Sequence, residues 1–195
     1  MNRILYIFAF FGLLLILASC TGGSTNRPER ICPITELLLQ QSDYPDGTHL
    51  GEIISPVAEQ PVESADQSGN YLGSLIFQNV IRYISEDKAS ERYDEWKRIA
   101  FKKSSLKTGS WEVPSIVTMN DFSANRIYIA CGYTDTGNVC RMIGQYEEYF
   151  VYYFVHILPE YGASQEFFLD LVAKIDNRAD SCINFGKYKQ SQKES

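Results

Sequence analysis

The chain is 195 residues long, carries a formal net charge of −6 and is 45% hydrophobic. That length holds one domain with a sizeable core, and 13 Tyr with 11 Phe favour a β-rich one. The acidic balance argues against a nucleic-acid partner, since Lys102-Lys103 is the densest basic pair before the C-terminal tail.

The chain starts with a short cationic stretch, Asn2-Arg3, and residues 4–18 are then uncharged and almost all apolar. The run is short for a spanning helix, which needs roughly 20 apolar residues. It suits the apolar region of a signal peptide. It ends in Leu17-Ala18-Ser19-Cys20. That ending resembles the bacterial lipobox, where small residues precede a cysteine that is cut free and lipidated. The resemblance covers the first 20 residues. It implies a signal peptide over 1–19 and a bacterial lipoprotein whose mature chain begins at lipidated Cys20. The cell membrane or an outer membrane would hold that lipid, palmitate included, with the domain on the extracytoplasmic side. One acyl chain holds weakly, and several on one cysteine hold firmly.

Residues 20–31 are polar and Gly/Ser-rich and read as a flexible tether. The globular domain is expected over 32–184, with a polar, fraying tail over 185–195. Residues 34–47 contain three consecutive leucines and end in the turn signal Pro45-Asp46-Gly47, leaving helix and strand both open. The polar stretch 56–70 reads as a loop. Residues 71–84, YLGSLIFQNVIRYI, predict one strand inside a sheet, because apolar residues occupy both faces. Ser85 with Glu86 and Asp87 predicts a helix start, and Ala89, Tyr93, Trp96 and Ala100 repeat at helical spacing.

Residues 113–119 predict the next strand, Asn120–Ser123 a turn, and 126–131 another strand. A hairpin loop, GYTDTGNV, leads into NVCRMIGQY, where Gly144 suggests a bulge. Glu147-Glu148 reads as a solvated turn, and 149–158 as a strand stopped by Pro159. Ser164 caps a last helix whose stripe is Phe167, Phe168, Leu171, Val172 and Ile175, with Cys182 beyond it.

Four cysteines follow Cys20, an even number that reads as two disulfides in an exported protein. Cys131 and Cys140 flank the hairpin and can face each other on paired strands. Cys32 and Cys182 would then join the two ends of the domain. No CxxC pair supports zinc or redox chemistry. The order of elements predicts an α+β single domain: an antiparallel sheet packed with two main helices, an αβα sandwich stapled by disulfides. In element order and cysteine placement, residues 34–183 resemble the PsbP-like class of small αβα sandwiches and exported sensor-type lipoprotein domains. No functional residue is carried over from that resemblance.

Candidates for chemistry are few. His49 and His156 are the two histidines, and neither sits in a GxSxG, HExxH or similar pattern. His49 reads as a loop residue. Glu147 and Glu148 would point to opposite sides of a strand, and Asp135–Asn138 reads as a hairpin turn rather than a calcium loop. No catalytic residue, metal ligand or cofactor site is assigned. The strand 149–158 is bulky on both faces, and one face with Tyr152 and His156 could line an apolar pocket walled by Trp96, or by Trp111. The expected function is a lipid-anchored, non-enzymatic module that binds a small molecule or a membrane protein. The alternatives are an extracytoplasmic hydrolase using Tyr152, His156 and Glu148, or an accessory subunit of a membrane complex.

Overall fold

The structure, a computed structural model, describes residues 33–55 and 63–193. The lipobox, Cys20, Cys32 and the tether lie outside those residues. Among them, strands β1 (Thr48–Leu50), β2 (Glu63–Tyr71), β3 (Ser74–Arg82), β4 (Leu106–Glu112), β5 (Arg126–Thr134), β6 (Gly137–Tyr146) and β7 (Tyr149–His156) form one antiparallel sheet in the order β1-β2-β3-β7-β6-β5-β4. Helix α1 (Glu86–Ala100) packs on one face and helix α2 (Gln165–Lys193) on the other. The α+β sandwich expected from the order of elements is therefore the one observed.

β7 lies at the centre of the sheet, where alternation of side chains splits its aromatics between two cores. Tyr149, Val151, Tyr153 and Val155 join Phe168, Leu171, Val172 and Ile175 of α2. Phe150 and Tyr152 join Tyr83, Tyr93 and Trp96 on the α1 side. Helix α1 begins as expected: the Ser85 hydroxyl accepts from the Lys88 amide at 3.2 Å, and Glu86 and Asp87 occupy the first turn. Helix α2 likewise begins at Ser164, whose hydroxyl accepts from the Phe167 amide.

Several expectations are corrected. Residues 34–47, where helix and strand were both open, hold two short 3-10 helices, Ile34–Leu37 and Gln41–Asp43, and no strand. Buried Gln78 clamps them, accepting from Leu39 N–H and donating to Leu37 C=O, each at 2.9 Å. Residues 63–70, read as loop, belong to β2, and the strand expected over 71–84 is cut by a tight turn. Leu72 (φ 49°) and Gly73 (φ 94°) supply the two positive φ values of a type I′ hairpin turn. β2 is polar because only Ala65 and Gly69 on it are fully buried, with Tyr71 at its end stacked on Phe167 at 4.9 Å. A Cβ on Gly69 would come within 2.8 Å of Leu50 Cδ2. His49 sits on edge strand β1 rather than in a loop.

The strand expected at 113–119 instead lies one segment earlier, at β4. Pro114 offers no N–H to a ladder, and 113–118 runs through turns outside any strand. Gly144 marks no bulge: its register runs unbroken to Ile127 and Val151. The Tyr146 ring folds back over it, 2.8 Å from where a Cβ would stand. Cys182 lies within α2, and the helical backbone continues through the expected tail to Lys193.

The Cys131–Cys140 bridge is formed across directly opposed residues of β5 and β6. Cys182 is also disulfide-bonded, and its partner lies outside the described residues. Glu147-Glu148 does form the β6–β7 turn, with Glu147 at φ 52°, but Glu148 is not solvated. Its carboxylate is 1% exposed and accepts from Arg82 Nε at 3.3 Å. Arg82 stands over the Tyr149 ring at 5.4 Å.

Candidate functional site

The α1 side of the sheet is only partly covered. Helix α1 is 15 residues long, about 22 Å at 1.5 Å per residue. Arg126 fixes its first half to β5, meeting both Asp94 oxygens and the Ser90 hydroxyl and stacking on the Tyr93 ring at 4.2 Å. Desolvation pushes the Tyr93 hydroxyl up to about 12, the Arg126 charge offsetting part of the rise. The helix stops at Ala100, where Arg141 of β6 donates to the Ala100 carbonyl and its cation meets the negative end of the helix. The same guanidinium lies over the Trp111 ring at 4.7 Å.

Beyond that point the sheet face carries an aromatic row that α1 reaches only through Trp96. On β7, Trp96 stacks on Tyr152 at 5.6 Å and touches Phe150 at 5.5 Å. Phe154 follows at 5.9 Å from Tyr152, and His156 at 5.9 Å from Phe154. From β3, Phe77 stacks on Phe154 at 5.6 Å and tilts against Tyr152 at 6.2 Å. Tyr152, Phe154, His156 and Phe77 are all half-buried, whereas Tyr149, Tyr153 and Val155 on the reverse face are fully buried.

Polar groups rim the row. Asp66 of β2 accepts from Asn79, which stands opposite Tyr152 in the β3–β7 register. Arg141 stands opposite Phe154 across the β6–β7 pair. Burial raises the Tyr152 hydroxyl, and Arg141 lowers it in part. Burial and then Arg141 both push His156 below the usual imidazole range, so the ring is neutral at pH 7.

The three residues singled out from sequence are thus on one face, but they do not close a pocket. Trp96 walls Tyr152, and Phe154 separates Tyr152 from His156. Trp111 packs under Arg141 and edge-on to Phe101, at 5.3 Å. Glu148 does not join them: it lies at the far end of β7, about 27 Å along the strand from His156. The hydrolase trio of Tyr152, His156 and Glu148 is therefore not assembled. Phe77 and Arg141 belong to the site and were missed, whereas Phe154 shares the strand face of Tyr152 and His156 that alternation implies. Phe77 and Phe154 were visible as strand aromatics, but only the register shows that they stack.

A second concavity, about 510 Å³, lies between the outer part of β4 and the N-terminus of α2, lined by Gly109, Glu112, Pro114, Tyr133, Asn138 and Gln165 among others. It exists because β4 carries two extra residues between Thr108 and Glu112 against Tyr133–Cys131. The excess folds Leu106 and Trp111 back over Gly132, where a Cβ would stand 2.5 Å from Leu106 Cδ2. Among the described residues there is no cluster of three or more His, Cys, Asp or Glu placed to hold a metal. No helix there is long and apolar enough to cross a membrane.

No protein-family model and no curated protein matches the chain. Among solved structures, the extracellular domain of PknH from Mycobacterium tuberculosis is similar, at 11% identity and a TM-score of 0.46, over 77% of this chain and 99% of that one. The likeness is too slight to bear on function.

Proposed function

We propose that the protein is a bacterial lipoprotein, held through Cys20 on the extracytoplasmic side of its membrane, and that it is a non-catalytic binding module. Its ligand seats on the aromatic row of Phe77, Tyr152 and Phe154, with His156 and Arg141 at the rim. The observation that carries the reading is the half-exposure of this stacked row on a strand whose reverse face is fully buried. Ligand sites combine apolar walls with a few polar groups that fix orientation, and this row has that composition. A flat, largely apolar ring with one hydrogen-bonding edge fits it. The lipobox ending and polar tether support the location.

Native mass spectrometry of the mature chain, purified gently from its own cells, tests the binding reading. A reproducible extra mass that disappears in Tyr152→Ala/Phe154→Ala is the expected result. A bare chain, or an extra mass that the double variant keeps, contradicts it. Radiolabelled palmitate incorporation that is lost in Cys20→Ala tests the anchor separately.

A further inference from the structure

On its β2 side the aromatic row is bordered by groups that accept hydrogen bonds. Asp66 stands directly opposite Asn79 in the β2–β3 register, and Asn79 directly opposite Tyr152 in the β3–β7 register. All three side chains therefore share one face of the sheet. Phe77, two residues before Asn79, is on that face too and stacks on Phe154 at 5.6 Å. Asn79 Nδ2 donates to the Asp66 carboxylate. A carboxylate only accepts, so the amide nitrogen must face it and Asn79 Oδ1 must face away. Asn79 is 9% exposed, and no donor among the described residues reaches that oxygen. A buried amide oxygen without a donor is uncommon and costly. Asp66 is half-buried and makes no ion pair among the described residues. Arg141 lies on the opposite flank of the row, three strands from β2 or about 14 Å, and is engaged by the Ala100 carbonyl and the Trp111 ring. Apolar surface continues around the carboxylate: Ile54, bridged directly to Asp66, is 63% exposed, and Leu75, two residues before Phe77, is 41% exposed.

We infer that the ligand of the aromatic row is an organic cation, a flat ring whose hydrogen-bonding edge is an amidinium or a ring-borne ammonium. Ring faces carry the negative part of the aromatic quadrupole and hold a cation placed over them. A charged N–H donating to Asp66 makes a strong, charge-assisted hydrogen bond, and it supplies the donor that the Asp66–Asn79 pair lacks. The net charge of −6 draws cations toward the chain. An anion would be repelled by Asp66, and a neutral ring would cover the carboxylate without pairing it. Asn79 is a positioning residue here, since it holds the carboxylate against the row. The inference rests on the aromatic-row reading and adds the charge of the ligand to it. It is independent of the lipid anchor.

Benzamidine, benzamide and benzoate share one ring and differ in charge: cationic, neutral and anionic. Each is titrated into the mature chain in detergent, with affinity read by ligand-observed NMR. Benzamidine is expected to bind about tenfold tighter than benzamide, and benzoate to bind weakest. Asp66→Asn keeps an acceptor for Asn79 and is expected to bring benzamidine within about twofold of benzamide. Tyr152→Ala/Phe154→Ala is expected to lose all three. Benzamide or benzoate binding as tightly as benzamidine overturns the inference, as does a benzamidine preference that Asp66→Asn leaves unchanged. In either case the aromatic-row reading survives if the double variant loses binding. Binding that the double variant keeps overturns both. Binding of none of the three overturns the inference, and the native mass then decides the row alone.

Discussion

The two faces of β7 carry nearly the same chemistry and meet different fates. Tyr149, Val151, Tyr153 and Val155 face α2 and are sealed, while Tyr152, Phe154 and His156 face α1 and stay half open. The difference lies in what covers each face rather than in residue type. On the sealed face, Phe168, Leu171, Val172 and Ile175 of α2 pack together with Leu37, Leu38, Leu39 and Tyr44 of the N-terminal segment. On the other, α1 ends at Ala100, where Arg141 meets it. Aromatic content therefore does not say whether a strand face is core or surface. What covers it does.

The largest effect is expected where the sealed face is emptied. Phe168 stacks on Tyr153 at 5.8 Å and is fully buried, so Phe168→Ala is expected to cost about 4 kcal/mol in urea unfolding. Phe154→Ala on the open face should cost about 1 kcal/mol, because little is left void. Equal costs would break the comparison. Next comes the ion pair at the foot of β7. Glu148→Ala removes the buried carboxylate that faces Arg82, leaving the guanidinium to Glu63 at 3.9 Å and the Tyr149 ring, and is expected to cost about 3 kcal/mol.

Replacing Cys131 and Cys140 by serine opens a loop with a sequence separation of 9, for which chain entropy predicts a loss of about 2–3 kcal/mol. Ser85→Ala removes the cap of α1 and should cost about 1 kcal/mol. A larger loss there would mean that the open face depends on α1 more than its partial cover suggests.

The smallest effect concerns pH. His156 has its folded pKa depressed by burial and by Arg141. The unfolded chain therefore binds its proton more readily, and the linked stability is present above the unfolded value near 6.5 and is lost as pH falls through the folded value. His156→Gln should flatten the stability profile slightly below pH 6.5, with little change at pH 8. Stability that falls instead as pH rises would mean the sign at the open face is wrong.

Elements with a strong period were legible. The Ser85 cap with Ala89, Tyr93, Trp96 and Ala100, the stripe of α2, β7 and the Cys131–Cys140 pair all follow from spacing within about 20 residues. β2 and β4 were not legible, because each is polar and lies at or near a sheet edge, held by backbone pairing that leaves no hydrophobic pattern. Glu148 looked like a turn residue because its partner, Arg82, is 66 positions away. The aromatic site was half legible: β7 showed Tyr152, Phe154 and His156 in alternation, but the contact with Phe77 needs the β3–β7 register.

The central claim is that the open face of β7 is a ligand seat and not merely uncovered core. Hydroxyl-radical footprinting of the chain purified gently from its cells, and of the same chain unfolded and refolded, tests it most directly. Oxidation of Tyr152 and Phe154 should be low in the first sample and several-fold higher in the second, with Tyr149 and Tyr153 protected in both. Equal oxidation of Tyr152 and Phe154 in the two samples would contradict the claim.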